Sequence, residues 1–138
     1  MLELRQLKLN GSQEDLLVLR ACRTALGDEQ AELGFADLAV QSGVKTAVAS
    51  LWYVSDLGSL ALMLEFYRQV DQVLLKAEAL RQAQIAMLNG EILLENAQLR
   101  VPGLASGVPL PAELSKVGDA NLSHPYYWAA FTIVGSPW

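Results

Sequence analysis

The stretch DLLVLRACRTALG at residues 15–27 decides the fold of this 138-residue chain. Its residues 16–19 form an uninterrupted apolar run, which is typical of a strand covered on both faces of a parallel sheet. Cys22 follows that run, and Gly27 indicates that the backbone turns soon afterwards. Because open parallel sheets place their chemistry just beyond the carboxyl ends of the strands, we expect the Cys22 thiol at the rim of a cleft. A lone cysteine beside an apolar strand is also commonly a small buried hydrophobe.

The segments after Cys22 predict a strand–helix–strand unit followed by two further helices. A helical pattern ends at Gly43, and residues 46–52 (TAVASLW) read as a second buried strand, so we expect a parallel crossover. Helices are predicted over residues 57–75 and 76–88. The expected buried face of the first consists of Leu57, Leu60, Leu64, Tyr67 and Leu74, and that of the second of Leu80, Ala83 and Met87.

The last third of the chain predicts irregular structure that ends in a strand. Residues 91–100 alternate apolar and polar side chains, which indicates a short strand or one arm of a hairpin. Residues 101–121 are rich in proline and glycine, so we expect an exposed loop there, the least ordered part of the chain. Residues 127–134 are apolar and aromatic and predict a final strand.

Composition excludes several classes of function. The net charge of −5 argues against a nucleic-acid partner, which would require a basic surface. No segment approaches the roughly 20 consecutive apolar residues of a membrane helix, and residues 1–10 lack the features of a signal peptide. A single cysteine rules out an internal disulfide and a cysteine-based zinc site, and we predict no metal and no cofactor. We therefore expect a cytoplasmic protein.

The order and spacing of these segments resemble the CHAT family of caspase-like cysteine peptidases, which are often fused to TPR repeats and are related to separase. The usual family wording around the nucleophile is LVVLSACETALG, close to residues 15–27. The resemblance continues through TAVASLW with Asp56 shortly after it, KAEALRQAQ at residues 76–84 and HPYYWAAFTIVG at residues 124–135. It covers nearly the whole chain but corresponds to the C-terminal half of a CHAT domain.

The resemblance implies an α/β fold, specifically part of the caspase-like (caspase/haemoglobinase) fold. That fold is a three-layer α/β/α arrangement with a mainly parallel sheet and a final antiparallel strand. Residues 1–138 would form a single incomplete CHAT-like domain. The N-terminal strands that bear the catalytic histidine in the family would lie before residue 1.

The resemblance also implies that Cys22 is a peptidase nucleophile whose general base comes from a His-Gly pair on a preceding strand. No histidine precedes Cys22 in this sequence, and the only one is His124, in the closing HPYYW motif. We interpret His124 as capping or hydrogen-bonding a loop, so we expect the isolated chain to be an inactive hydrolase half. A self-contained pair of Cys22 and His124 is a distant alternative.

Two further residues are implied in substrate binding. Asp56 matches an acidic position that helps to form the pocket for a basic side chain before the cleaved bond, and Trp52 would line the same cleft. From the residues alone, Ser55 or Asp56 caps the following helix and Trp52 packs in a core. Arg20 and Arg23, beside Cys22, depart from the serine and the acidic residue of the family pattern. Nearby cations favour a thiolate, but an arginine in place of a small residue also blocks a cleft.

That departure leaves a second reading, in which the chain is a non-catalytic protein-interaction module derived from a peptidase. Either reading predicts protein or peptide partners, with no nucleic acid and no membrane. The strand at residues 16–19 would expose an unpaired edge, and 52% of the residues are hydrophobic. We therefore expect self-association into a homo-oligomer, cover by residues 1–10, or association with the missing N-terminal half or a TPR protein.

Overall fold

The structure is a computed structural model that describes residues 16–19, 40–41, 43–52, 54–116 and 118–138. The chain divides into two compact units, Met1–Tyr53 with Ala130–Trp138 and Val54–Ala129. The elements in chain order are β1 (Leu17–Leu19), β2 (Thr46–Ser50), α1 (Asp56–Val70), α2 (Lys76–Leu88), β3 (Leu93–Glu95), β4 (Gln98–Arg100), β5 (Val108–Pro109), β6 (Ala120–Asn121), a 3-10 helix (Pro125–Tyr127) and β7 (Phe131–Gly135).

The first unit contains a three-stranded sheet in the order β1-β2-β7. β1 and β2 are parallel, with Val18 opposite Val48, so the predicted parallel pairing is confirmed. β7 is antiparallel to β2, as predicted for the final strand, although it begins at Phe131 rather than at residue 127. All five residues of β2 are buried, whereas Val18 is only half-buried. Within the described sheet β1 pairs along one edge, with β2, and the expectation that the first strand is covered on both faces stays a prediction.

A close backbone approach fixes the end of β7 against the start of β2. Gly135 has a φ of +97°, and a Cβ there would lie 2.6 Å from the carbonyl oxygen of Lys45. The Thr46 hydroxyl donates a hydrogen bond of 2.7 Å to the carbonyl oxygen of Ser136. Only glycine combines this φ with this contact, so the sequence of the C-terminal segment determines the register of the last strand.

The second unit contains a four-stranded antiparallel sheet in the order β5-β4-β3-β6. Its centre is the β3–β4 hairpin, in which Asn96 and Ala97 have the paired positive φ values typical of a type I′ turn. β5 and β6 extend this hairpin on its two edges. The expectation of a loop over residues 101–121 is thus wrong in part, because two short strands of that segment pair with the hairpin.

A mainly parallel sheet is not shown. Among the described strands there is one parallel pairing and there are four antiparallel pairings. The structure instead establishes a mixed α/β protein whose described residues form two sheets and two α-helices. One strand of the parallel pair, β1, comes directly before the segment that contains Cys22.

The prediction is accurate for α2 and less accurate for α1. α2 has the predicted bounds, and Leu80, Ala83 and Met87 are buried as expected. α1 ends at Val70 rather than at residue 75, and Tyr67 and Leu74 of its predicted face are 50% and 94% exposed. The prediction for the face of α1 is confirmed for Leu57 and wrong for Tyr67 and Leu74, because the buried stripe includes a charged residue, which interrupts the apolar period. That stripe consists of Leu57, Gly58, Ser59, Ala61, Leu62, Glu65 and Phe66.

Candidate functional site

The predicted nucleophile Cys22 lies outside the described residues, as do Arg20, Arg23 and residues 1–10. In the sequence, Cys22 stands three positions after Leu19, the last residue of β1. The placement of the thiol at a cleft therefore stays a prediction.

Asp56 is the first residue of α1, and the turn around it is capped by its neighbour. The backbone of Ser55 is extended, and its Oγ accepts a hydrogen bond of 2.9 Å from the Gly58 backbone N–H. Of the two residues considered as the cap, Ser55 therefore makes the cap hydrogen bond. Asp56 itself is exposed. A carboxylate in the first turn is favoured by the partial positive charge of the helix N-terminus.

Trp52 follows β2 in the first unit. The residue before it, Leu51, donates its backbone N–H to the carbonyl oxygen of Ala130 at 2.7 Å, which continues the pairing between β2 and the segment leading into β7. The Trp52 side chain is 39% exposed. The interpretation of Trp52 as a core residue is therefore wrong, and its role in lining a cleft stays a prediction.

His124 has the capping role that was predicted for it. It is the N-cap of the 3-10 helix, and its Nδ1 accepts a hydrogen bond of 3.1 Å from the Tyr126 backbone N–H. Pro125 suits the first position of this helix, because its φ is preset and no N–H is needed there. The imidazole is exposed, and its Nδ1 is occupied as the acceptor of a backbone N–H.

Residues 124–128, which we call the aromatic turn, connect two of the sequence motifs. The Trp128 indole Nε1 donates to the Ser123 carbonyl oxygen at 3.0 Å. The Gln84 side chain, from the KAEALRQAQ segment on α2, donates to the Trp128 carbonyl oxygen at 3.1 Å. The KAEALRQAQ and HPYYW motifs are therefore structural partners, and this hydrogen bond joins them.

The aromatic turn also contacts the first turn of α1. A Cβ added to Gly58 would lie 2.6 Å from the Tyr127 carbonyl oxygen and 3.0 Å from both its Cα and Cβ. Real Cβ atoms do not approach backbone this closely, so the contact requires glycine at this position. The sequence reasoning did not single out Gly58; a glycine inside a predicted helix is the signal that indicates a close approach.

A buried ionic cluster on α1 was also missed by the sequence reasoning. Glu65 is 1% exposed, and its carboxylate accepts hydrogen bonds from Arg68 Nε at 2.9 Å, Arg68 Nη2 at 2.7 Å and Gln69 Nε2 at 2.7 Å. The hydrogen bond to Glu65 is the main cause that raises the pKa of Arg68 above its ordinary value. The signal for this cluster is the E-x-x-R-Q spacing, which places all three side chains on one side of a helix.

Among the residues that the structure describes, there is neither a cluster of metal ligands nor a membrane-spanning helix. Within residues 16–19, 40–41, 43–52, 54–116 and 118–138, no three histidine, cysteine or acidic side chains cluster as metal ligands would. Neither α1 nor α2, the two α-helices bounded there, combines the length and apolar character needed to cross a bilayer.

Comparison with known proteins gives one finding. The family model of the CHAT domain matches residues 1–136 of the chain. No curated protein and no solved structure matches the chain.

Proposed function

The chain belongs to the CHAT domain family, which is related to the caspase-like peptidases, and on this premise we propose that it is the nucleophile-bearing half of a cysteine peptidase. The observation that carries the proposal is the continuous family match over residues 1–136, which includes Cys22 three positions beyond a strand with a parallel partner. The full three-layer caspase-like fold, with the rest of its parallel sheet, is part of the same proposal.

In the proposed reaction the Cys22 thiolate attacks the carbonyl carbon of a peptide bond. A thioester forms, the amine leaves with a proton from the general base, and water then hydrolyses the thioester to a carboxylic acid and the free thiol. The thiol needs a base within about 2.6–3.2 Å to lose its proton efficiently. A reducing compartment such as the cytoplasm suits a free thiol with this role.

The base is proposed to come from a histidine outside these 138 residues. The sequence has a single histidine, and the Nδ1 of that residue, His124, accepts the Tyr126 N–H in the cap of the 3-10 helix. Recruiting His124 as the base through Nδ1 would break this cap. The chain alone is therefore proposed to be inactive.

Asp56 is proposed to select a basic residue before the cleaved bond. Asp56 is an exposed residue, so it lies at the surface of its unit, and the Ser55 cap fixes the backbone around it. A charge-assisted hydrogen bond between a carboxylate and an Arg or Lys side chain provides the preference. Trp52 is proposed to line the cleft.

Incubation of the 138-residue chain with fluorogenic peptides ending in Arg or Lys tests this function. We predict no turnover above that of the Cys22→Ala variant. Turnover that disappears in Cys22→Ala would contradict the proposal. If it disappeared in His124→Ala as well, the pair of Cys22 and His124 would be the catalytic unit.

A non-catalytic interaction module is the second candidate. The structural cap made by His124 supports this candidate as much as it supports an inactive peptidase half, because in both cases His124 is not a catalytic base. In that case the partners would be a second copy of the chain, a TPR protein or the N-terminal half, and binding would not require Cys22. Binding of such a partner unchanged by Cys22→Ala, without peptide turnover by the complex, would identify this function.

A further inference from the structure

The backbone around Asp56 is held from two directions. The Ser55 Oγ and the Gly58 N–H form the cap hydrogen bond of 2.9 Å, and the loop that this bond closes contains Asp56 and Leu57. The Leu57 side chain is buried, so it anchors the same turn in the interior. A movement of Gly58 therefore changes the cap and moves Asp56.

Gly58 itself rests on the aromatic turn. The space that a Cβ would occupy is filled by Tyr127 backbone atoms, which cannot rotate away as the end of a side chain could. The aromatic turn is in turn fixed by hydrogen bonds from Gln84 to the Trp128 carbonyl oxygen and from the Trp128 indole to the Ser123 carbonyl oxygen. The cap by His124 completes this support.

We propose that Gly58 and the aromatic turn are the positioning elements for Asp56, so that the HPYYW motif controls recognition of a basic side chain without touching it. This inference rests on the proposed function of Asp56. It assigns a role to residues 124–128 that is separate from the nucleophile and its base. Because Gly58 has no side chain, the first turn of α1 can pack directly against the aromatic turn.

The test measures selectivity for charge rather than activity. Two fluorescein-labelled peptides, one ending in arginine amide and one in its neutral isostere citrulline, are titrated against the full chain by fluorescence anisotropy. All proteins carry Cys22→Ala, so that neither peptide is consumed. For the otherwise unchanged chain we expect roughly fivefold tighter binding of the arginine peptide, as an accessible ion pair provides. Asp56→Asn should reduce this ratio to about one.

Gly58→Ala is the main variant, and Gly107→Ala is its matched control. A Cβ at Gly107 would also clash, at 2.8–2.9 Å, but with the Gln98 side chain beside the β4–β5 pairing rather than with the first turn of α1. We expect Gly58→Ala to lose at least half of the selectivity and Gly107→Ala to retain it, at a temperature where circular dichroism shows both to be folded. If Gly58→Ala does not fold, His124→Ala, which removes only the exposed cap, is expected to lower the ratio at least twofold.

The outcomes distinguish the recognition role of Asp56 from the positioning role of Gly58 and the aromatic turn. A ratio near one for the chain with Asp56 intact would refute the recognition role of Asp56, and with it this proposal. A normal ratio that depends on Asp56 but survives in folded Gly58→Ala, or in His124→Ala where the former is unfolded, would overturn the positioning role alone. An equal loss in Gly107→Ala would show that general destabilisation, and not positioning, lowers the ratio.

Discussion

The chain contains the sequence E-x-x-R-Q twice, once in each described α-helix, and the two copies differ chiefly in their environment. In α1, Glu65 is paired with Arg68 and Gln69; in α2, Glu78 is paired with Arg81 and Gln82 through hydrogen bonds of 2.8 and 2.6 Å. The first carboxylate is 1% exposed and the second 36%. The same residue types at the same spacing are therefore found in the interior in one helix and at a solvated surface in the other, with three donors to Glu65 and two to Glu78.

This difference shows why spacing alone does not indicate what an ion pair contributes. A solvated pair adds little to stability, because water screens both charges. A buried carboxylate is tolerated only while its partners satisfy it, so removing one partner is costly even where the intact pair contributes little. The two helices thus provide an internal comparison in which residue types and spacing are held constant.

The largest predicted effect is on the buried copy. Arg68→Ala leaves the Glu65 carboxylate without two of its three donors, so we expect the free energy of unfolding to fall by about 3 kcal/mol. Arg81→Ala, the matched control, should change it by less than about 0.5 kcal/mol. Urea unfolding followed by circular dichroism measures both, and equal losses would refute the comparison. Replacing both partners with apolar residues, Glu65→Met with Arg68→Leu, should recover much of the loss.

The smaller predicted effect is a pH dependence of the exposed copy. The hydrogen bond from Gln82, assisted by Arg81, lowers the pKa of Glu78 below its ordinary value of 4.5. A carboxyl whose pKa is lowered in the folded state stabilises the protein above the unfolded value, and that stability is lost as the pH falls through the folded value. Tm should therefore decline slightly less below pH 4.5 in Glu78→Gln than in the unchanged chain. Coincident profiles between pH 3 and 5 would contradict this.

The comparison also explains how far the sequence could predict the fold. The bounds and buried face of α2 followed from an uninterrupted period of alanine, leucine and methionine. The face of α1 did not, since the pattern gives no indication that Glu65 is buried until its partners are known. β5 and β6 were missed because strands of two residues carry no periodicity and exist through pairing with a hairpin.

In the candidate site, too, some features could be predicted from the sequence and others could not. The cap by His124 was predictable, because a histidine before a proline suits the start of a short helix. The exposure of Asp56 and of Trp52 was not, since it depends on tertiary packing rather than on neighbours in the sequence. The contact between Gly58 and Tyr127 joins positions almost seventy residues apart, which no local pattern indicates.

The most direct test of the central claim compares the 138-residue chain with the same chain extended by the coding sequence that precedes it in the gene. If the chain is the nucleophile-bearing half of a peptidase, the upstream segment contains a strand ending in His-Gly. The extended protein then cleaves peptides after Arg or Lys, Cys22→Ala abolishes that cleavage, and the 138-residue chain shows none. An extended protein that has this segment and still lacks Cys22-dependent cleavage, or a 138-residue chain that cleaves alone, would contradict the account.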